Sequence, residues 1–167
     1  EVYTPGSTVQ FTATGADSSG AAVALPEDGS YALADSSFGS ITADGLFTSN
    51  GTAGTVTVNY ISGGEVCGNV SIEIRDPDTF YVPTAEISLG FEETTDFGIV
   101  AYYQNREVHM KAGDIAWTMV DDEGQDVSET AGTFNADGLT FTTFDGVTVN
   151  ANVTAAYAKD PSIAVQV

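Results

Sequence analysis

The densest group of metal-binding residue types in this sequence is an acidic run, Asp121-Asp122-Glu123-Gly124-Gln125-Asp126. Ca²⁺ is a hard ion that takes oxygen ligands, and carboxylates spaced around a glycine turn suit that chemistry. We therefore predict Asp121, Asp122 and Asp126 as candidate calcium ligands, and we predict no other cofactor. The run does not match the EF-hand loop, because no bidentate Glu falls in register. A solvated acidic loop is the alternative interpretation.

A second group with chemical potential is a pair of adjacent tyrosines, Tyr102 and Tyr103, in the strand-like run from Gly98 to Gln104. Successive side chains of a strand point to opposite faces, so one tyrosine must face outward. Beside Asn105 and Arg106, an outward ring would offer a flat apolar face with hydrogen-bonding neighbours, which suits a sugar ring. The sequence predicts weak carbohydrate binding here, and an ordinary surface tyrosine is the alternative.

The remaining residue types that could support catalysis are isolated. Cys67 and His109 are the single cysteine and the single histidine, and they lie far apart in the chain, so neither a Cys–His pair nor a histidine-rich zinc site is expected. Glu92, Glu93 and Asp96 resemble a glycosidase carboxylate pair only in composition, since such a pair needs a cleft with a controlled separation. Motifs for nucleophile elbows, phosphate loops and dinucleotides are absent. We predict no enzyme activity for this chain.

The charge of the chain restricts its partners. Its 167 residues carry 24 acidic side chains against four lysines and arginines, a formal net charge of −20. Without a basic patch, nucleic acid and anionic membrane surfaces are excluded as partners. Apolar runs long enough to cross a bilayer are also absent, so no membrane insertion is expected. The chain begins at Glu1 without Met, which suggests a piece cut from a longer protein.

An internal repeat defines the elements that carry these groups. The run from Gly39 to Tyr60 returns in a looser form from Gly132 to Tyr157, and the shared glycines and apolar residues stand at a constant offset of 93 residues. Such a repeat predicts two tandem modules. Pro77 interrupts the strand pattern between Arg75 and Asp78. We therefore place the domains at residues 1–76 and 77–167, with a short, semi-rigid linker.

Alternating apolar residues predict an all-β fold. The first module contains about seven short strands with turns every eight to twelve residues, the spacing of an Ig-like β-sandwich. In its last strand, Val66 and Val70 share an apolar parity with Ile72, which places Cys67 on the polar face unless Gly68 marks a bulge. Strands are expected in the second module at residues 85–89 and 147–157, among others. The prediction is two tandem Ig-like β-sandwiches, with Trp117 and its counterpart Tyr31 as core aromatics.

The spacing of residues 39–58, with glycines where strands reverse, resembles the bacterial Ig-like (Big2-type) family over most of residues 2–75. Residues 81–167 resemble it more weakly, and the stretch from residue 89 through residue 114 is similar to accessory segments of secreted bacterial phosphodiester glycosidases. The resemblance implies an extracellular or cell-surface module that spaces or presents adjacent domains of its parent chain. It supplies no catalytic residues. A polysaccharide is the partner under the alternative, a carbohydrate-binding or adhesion module.

Overall fold

The computed structural model describes residues 1–83, 86–135 and 138–166. The chain divides into two compact units, Glu1–Asp76 and Pro77–Val167. Both are built from β-strands, and the helical structure among the described residues is one 3₁₀ turn, Ser36–Phe38. The predicted all-β fold of two tandem Ig-like sandwiches is confirmed. The predicted strand residue Ala85 and the repeat residues Ala136 and Asp137 lie outside the described residues.

The first unit contains nine strands. In chain order they are β1 (Val2–Tyr3), β2 (Thr8–Gln10), β3 (Gly15–Ala16), β4 (Ala22–Val23), β5 (Ser30–Leu33), β6 (Gly39–Ile41), β7 (Leu46–Ser49), β8 (Gly54–Ser62) and β9 (Glu65–Ile74). One sheet has the order β2-β7-β6, and the other has the order β1-β9-β8-β5. These orders match the B-E-D and C-F-G sheets of an Ig fold, with β1 added in parallel beside β9.

The core of the first unit lies between these two sheets and is mainly aliphatic. Its buried members are Val9, Phe47, Val56, Val58, Ile72 and Ile74, which come from β2, β7, β8 and β9. Burying this apolar surface on both inner faces is the main stabilising contribution in a sandwich. Tyr31, which was predicted as the core aromatic, packs against this cluster.

The described residues of the second unit also form nine strands. They are β10 (Thr79–Tyr81), β11 (Thr94–Asp96), β12 (Val100–Tyr103), β13 (Arg106–His109), β14 (Ile115–Asp121), β15 (Gly132–Phe134), β16 (Thr140–Thr143), β17 (Ala151–Tyr157) and β18 (Asp160–Gln166). The sheets β11-β16-β15 and β14-β17-β18 repeat the B-E-D and C-F-G orders. A further antiparallel ladder, β10-β12-β13, carries the two tyrosines.

The core of the second unit is aromatic. Phe97, Phe141 and Met119 are buried, and Trp117 and Phe134 pack against them. The Trp117 and Phe134 rings stack with their centroids 4.8 Å apart, and the Trp117 Nε1–H donates to the Gly138 carbonyl at 2.7 Å. Trp117 therefore lies in the core, as its parity in the strand predicts.

The repeated glycines have one structural role in both units. Gly39 begins β6 and Gly132 begins β15, each beside the neighbouring strand of its sheet. A Cβ at either position would lie less than 3.0 Å from a backbone carbonyl, that of Thr48 or of Thr142. Real Cβ atoms essentially never approach so closely, so each glycine is required by the packing of two strands. The repeated glycine therefore permits the same close approach of two neighbouring strands in each unit.

Three local predictions differ from the structure. Residues 86–90 and 147–150 form no strand, and β17 begins only at Ala151. In β9, Val66 and Val70 are exposed rather than buried, although Val70 pairs with the core residue Val58. The partners Tyr60↔Gly68 and Ile61↔Val66 skip Cys67, so a bulge lies at that exposed cysteine.

Candidate functional site

The β10-β12-β13 ladder positions the predicted tyrosines. Tyr102 pairs with Thr79 on one side and with Glu107 on the other, and Tyr103 pairs with Arg106. The chain reverses between β12 and β13 at Gln104 and Asn105, both with positive φ (50° and 62°). Two consecutive positive-φ residues are typical of the tight hairpin turn that matches strand twist.

The entry to β10 is tied to this turn. The backbone N–H of Asp78 donates to the Tyr102 carbonyl at 2.8 Å, and the Asp78 Oδ2 accepts from the Gln104 N–H at 2.8 Å. These bonds hold the start of β10 against the end of β12. The tyrosines therefore stand on a fixed ladder and not on a loose loop.

Tyr103 lies on the inward face of the ladder. Its neighbour on that face is Ala101, which is buried and pairs with the buried Phe80 and Val108. The Arg106 guanidinium carbon lies 5.9 Å from the centroid of the Tyr103 ring, within the range of a cation–π contact. The Tyr103 ring is half-buried and contacts the Arg106 side chain.

Tyr102 lies on the opposite, outward face. Tyr81 shares this face, because Tyr81 pairs with Val100 two residues before Tyr102. Tyr81 is 54% exposed, and Tyr102 is half-buried. Diagonal neighbours of this kind lie within reach of each other's rings. The structure thus adds Tyr81, which sequence analysis missed; the alternation of Thr79-Phe80-Tyr81 around an apolar Phe80 is the signal that could have found it.

The acidic run forms a turn at the end of β14. The Asp121 Oδ1 accepts from the Glu123 N–H at 3.0 Å and from the Gln125 N–H at 2.7 Å. The Asp121 N–H and carbonyl close the same turn with Gln125 and Gly124. The Asp121 carboxylate therefore satisfies backbone donors of its own turn, as Asx turns do.

The other two predicted calcium ligands do not converge on Asp121. Asp126 caps the next turn, where its Oδ1 accepts from the Ser128 N–H at 2.9 Å, and hydrogen bonds from the Ser128 side chain and backbone lower the pKa of Asp126. Asp122 is exposed. Within residues 1–83, 86–135 and 138–166, no three His, Cys, Asp or Glu side chains are grouped to hold a metal ion. The geometry favours the solvated-loop alternative over the calcium site.

Carboxylates cap turns throughout the chain. Asp17 accepts from the Ser19 hydroxyl at 2.7 Å, and Asp160 accepts from the Ser162 hydroxyl at 2.6 Å. Hydrogen bonds from serine or threonine hydroxyls and backbone N–H groups lower the pKa of a set of aspartates: Asp17, Asp28, Asp35, Asp44, Asp126 and Asp160. A hydrogen bond to the charged form favours ionisation. These hydrogen bonds therefore favour the ionised form of each aspartate.

The carboxylates considered as a glycosidase pair are also turn elements. The Glu93 Oε2 accepts from the Gly90 N–H at 2.6 Å, and the Asp96 Oδ1 accepts from the Gly98 N–H at 2.7 Å. Glu92 has a positive φ of 54°. His109 is exposed in β13. Glu93 and Asp96 therefore act as hydrogen-bond acceptors for the backbone of nearby turns.

Asp114 is the exception to this exposed pattern, since it is only 2% exposed. Its side chain pairs with the Lys111 ammonium, and its Oδ2 accepts from the Lys111 N–H at 2.9 Å. Its carbonyl accepts from the Ala158 N–H at 2.8 Å, which joins the start of β14 to the turn after β17. The ion pair therefore joins a buried carboxylate to a partly exposed ammonium.

Comparison with known proteins gives only distant likenesses. No protein-family model and no curated protein matches the chain. Among solved structures, domains 4 and 5 of the S-layer protein SbsC are similar at 17% identity and a TM-score of 0.36, over 96% of this chain and 80% of that one. The Yersinia pseudotuberculosis adhesin InvE is similar at 15% identity and a TM-score of 0.38, over 99% of this chain and 55% of that one. Across the part of the chain that the structure describes, no helix has the length and apolar character to cross a membrane.

Proposed function

We propose that the chain is a non-catalytic pair of Ig-like domains, residues 1–76 and 77–167, from a larger secreted or surface bacterial protein. Its role is to space or present a neighbouring domain of that protein, with a carbohydrate-active domain as the expected neighbour. The resemblance of the spacing of residues 39–58 to Big2-type domains supports the bacterial extracellular setting. Fold alone does not define an activity, so the assignment depends on what the side chains do.

The observation that carries this proposal is that exposed aspartates accept hydrogen bonds from the backbone N–H groups of their own turns. A general acid needs a carboxyl whose pKa is raised toward neutrality, usually by burial. The shifted carboxylates here are exposed, and hydrogen bonds in turns lower their pKa. Such groups fix loop geometry and keep the surface charged, which suits a structural module in solvent.

A spacing role can be tested by placing the chain between a donor and an acceptor fluorescent protein. A spacing element should give one narrow distribution of transfer efficiencies in single-molecule measurements. The matched control carries a Gly-Ser repeat inserted between Asp76 and Pro77, and it should broaden the distribution. A distribution that is already as broad without the insertion would overturn the spacing role. Turnover of any glycoside by the chain would overturn its non-catalytic character.

A second candidate function is carbohydrate binding, which the outward pair Tyr81 and Tyr102 favours. Two aromatic rings on a rigid ladder beside Glu107 offer stacking and hydrogen bonding together. The test is affinity electrophoresis through gels that contain plant, host and microbial polysaccharides. Retardation by one polysaccharide should disappear in Tyr81→Ala and Tyr102→Ala, and it should persist in Tyr103→Ala, the matched inward control. Unchanged mobility across the panel would exclude this function.

A further inference from the structure

The first unit has an open apolar cleft that the spacing role does not use. The cleft has a volume of about 560 Å³, and its lining includes aromatic and aliphatic side chains of β4, β5, β8 and β9 and of the segments that follow β2 and β4: Phe11, Val23, Leu25, Tyr31, Tyr60 and Val70. Tyr31 packs against the core at the same time. Binding clefts in proteins are about 300–1,000 Å³ and are lined mainly by apolar and aromatic groups. The cleft falls within that range.

Its apolar side chains remain in contact with water. Val23 is 48% exposed and Val70 is 47% exposed, and Leu25 is also exposed. Val23 and Leu25 come from β4 and the segment after it, whereas Val70 comes from the β8–β9 hairpin. Two hairpins therefore present apolar side chains across one opening, and exposed clusters of this kind mark interaction sites.

The charge around the cleft has a single sign. Residues 1–74 contain no Lys, Arg or His. Asp17 follows the lining residue Ala16, and Glu27 follows the lining residue Pro26. Both acidic side chains are exposed. Glu65 stands two residues before Cys67, which also lines the cleft. An occupant must therefore combine apolar groups for the interior with positive charge for the rim.

We infer that this cleft binds an extended peptide segment of a partner protein, with large apolar side chains inserted between Leu25 and Val70 and with Lys or Arg beside them. The inference is independent of the spacing role and of the tyrosine face in the second unit. Insertion removes the exposed apolar surface from water, and the acidic rim steers the basic segment to it. Binding should weaken as salt screens the rim charges.

The first measurement is fluorescence anisotropy with a labelled peptide of alternating Lys and Leu or Phe residues. Saturable binding is expected, and it should be lost with a peptide in which Ser replaces Leu and Phe, and with one in which Glu replaces Lys. Leu25→Ser and Val70→Ser should each weaken binding about tenfold, because each removes most of one apolar side chain that the bound peptide covers. The matched control is Val149→Ser, an exposed valine of the second unit, which should leave binding unchanged.

The second measurement uses the wild-type chain and does not depend on how the variants fold. Cys67 is an exposed thiol that lines the cleft, so its rate of alkylation by iodoacetamide reports occupancy. The bound peptide should slow alkylation in proportion to the anisotropy change. Absence of saturable binding would overturn the inference. Binding that neither protects Cys67 nor responds to Leu25→Ser and Val70→Ser would also overturn it, since that is non-specific attraction to an acidic surface.

Discussion

The two units share one frame, the pair of B-E-D and C-F-G sheets. They differ in the residues of the core and in the hairpin inserted between the B and C strands. Both place a B-E-D sheet over a C-F-G sheet, and both begin the D strand at a glycine held against the adjacent strand. The fully buried core of the first unit holds one aromatic ring, Phe47, among aliphatic residues, whereas in the second unit four rings contact one another: Phe97, Trp117, Phe134 and Phe141. Repetition therefore preserves the backbone contacts, whereas the core and the inserted hairpins are free to diverge.

The hairpin between the B and C strands is the clearest divergence. In the first unit it is the short β3–β4 pair, which borders the apolar cleft. In the second unit it is the longer β12–β13 pair, which joins β10 and presents Tyr102 outward. The same position in the frame thus carries both candidate binding surfaces. Variation at loops on a fixed sandwich is how such folds acquire different binding functions.

The largest expected effect is on stability, and it distinguishes Asp114 from Asp28. Each stands three residues before the core aromatic of its C strand, Trp117 or Tyr31. Asp114 is buried and Lys111 is partly exposed, so Asp114→Ala should lower the free energy of unfolding by about 3 kcal/mol, because it removes a hydrogen bond from the Lys111 N–H and a second one from the charged ammonium. Asp28→Ala is the matched change, and it should cost less because Asp28 is exposed and caps only Ser62 and Gly63. Equal losses in urea titrations would contradict the distinction.

The repeated glycines should respond alike in both units. Gly39→Ala and Gly132→Ala should each destabilise their unit by about 2 kcal/mol, because the added Cβ meets backbone that must move. Gly68→Ala is the control, since no atom lies within 4 Å of its added Cβ. Thermal unfolding followed by circular dichroism measures all three. A tolerated Gly132→Ala would break the equivalence of the two glycines.

The aromatic core of the second unit gives a smaller effect. Trp117→Phe removes the hydrogen bond to the Gly138 carbonyl and part of the ring contact with Phe134, and should cost about 1–2 kcal/mol. The counterpart Tyr31→Phe keeps the ring that packs 5.2 Å from Tyr60, so its loss should be smaller. Urea unfolding of both variants gives the comparison. A larger loss for Tyr31→Phe would reverse the ranking of the two core aromatics.

The turn aspartates should show their contribution through pH. Hydrogen bonds from Ser128 lower the pKa of Asp126 in the folded state below the unfolded value of about 3.9. The stabilisation is therefore fully present above that unfolded value and is lost as pH falls through the folded pKa. The difference in melting temperature between wild type and Asp126→Ala should be constant from pH 5 to 7 and should shrink toward zero in stronger acid. A difference that persists unchanged at the acid end would contradict the assignment.

Calcium should have the smallest effect. Asp121 already accepts two backbone hydrogen bonds within its turn, and Asp126 caps a different turn. The melting temperature should therefore be the same in millimolar Ca²⁺ and in chelator. A rise with Ca²⁺ that Asp121→Ala and Asp122→Ala abolish would restore the metal site, since a bound ion stabilises the folded state by mass action.

The frame could be predicted from sequence because its signals are local. Alternation reports which residues face the core, and the glycines report where strands meet, so the repeat at Gly39 and Gly132 was enough to indicate two sandwiches. Trp117 was assigned to the core by the same parity. Each of these signals is contained within one strand or one turn.

The candidate surfaces could not be predicted as fully because they depend on pairing between strands. Tyr81 joins Tyr102 only through the register of β10 against β12, which alternation within one strand does not define. Val70 has an inward parity and pairs with the buried Val58, yet it is 47% exposed. Spacing in the acidic run likewise says nothing about whether Asp121 turns toward Asp126 or toward its own backbone.

The most direct test of this account is urea unfolding of the whole chain followed by two signals. Trp117 is the only tryptophan, so its fluorescence reports the core of the second unit, while far-UV circular dichroism reports both units. We expect Gly132→Ala to lower the midpoint of the fluorescence transition, and Gly39→Ala to alter the dichroism transition while leaving the fluorescence midpoint in place. If both variants moved both signals by the same amount, the chain would have one shared cooperative core and the account of two repeated frames would be wrong.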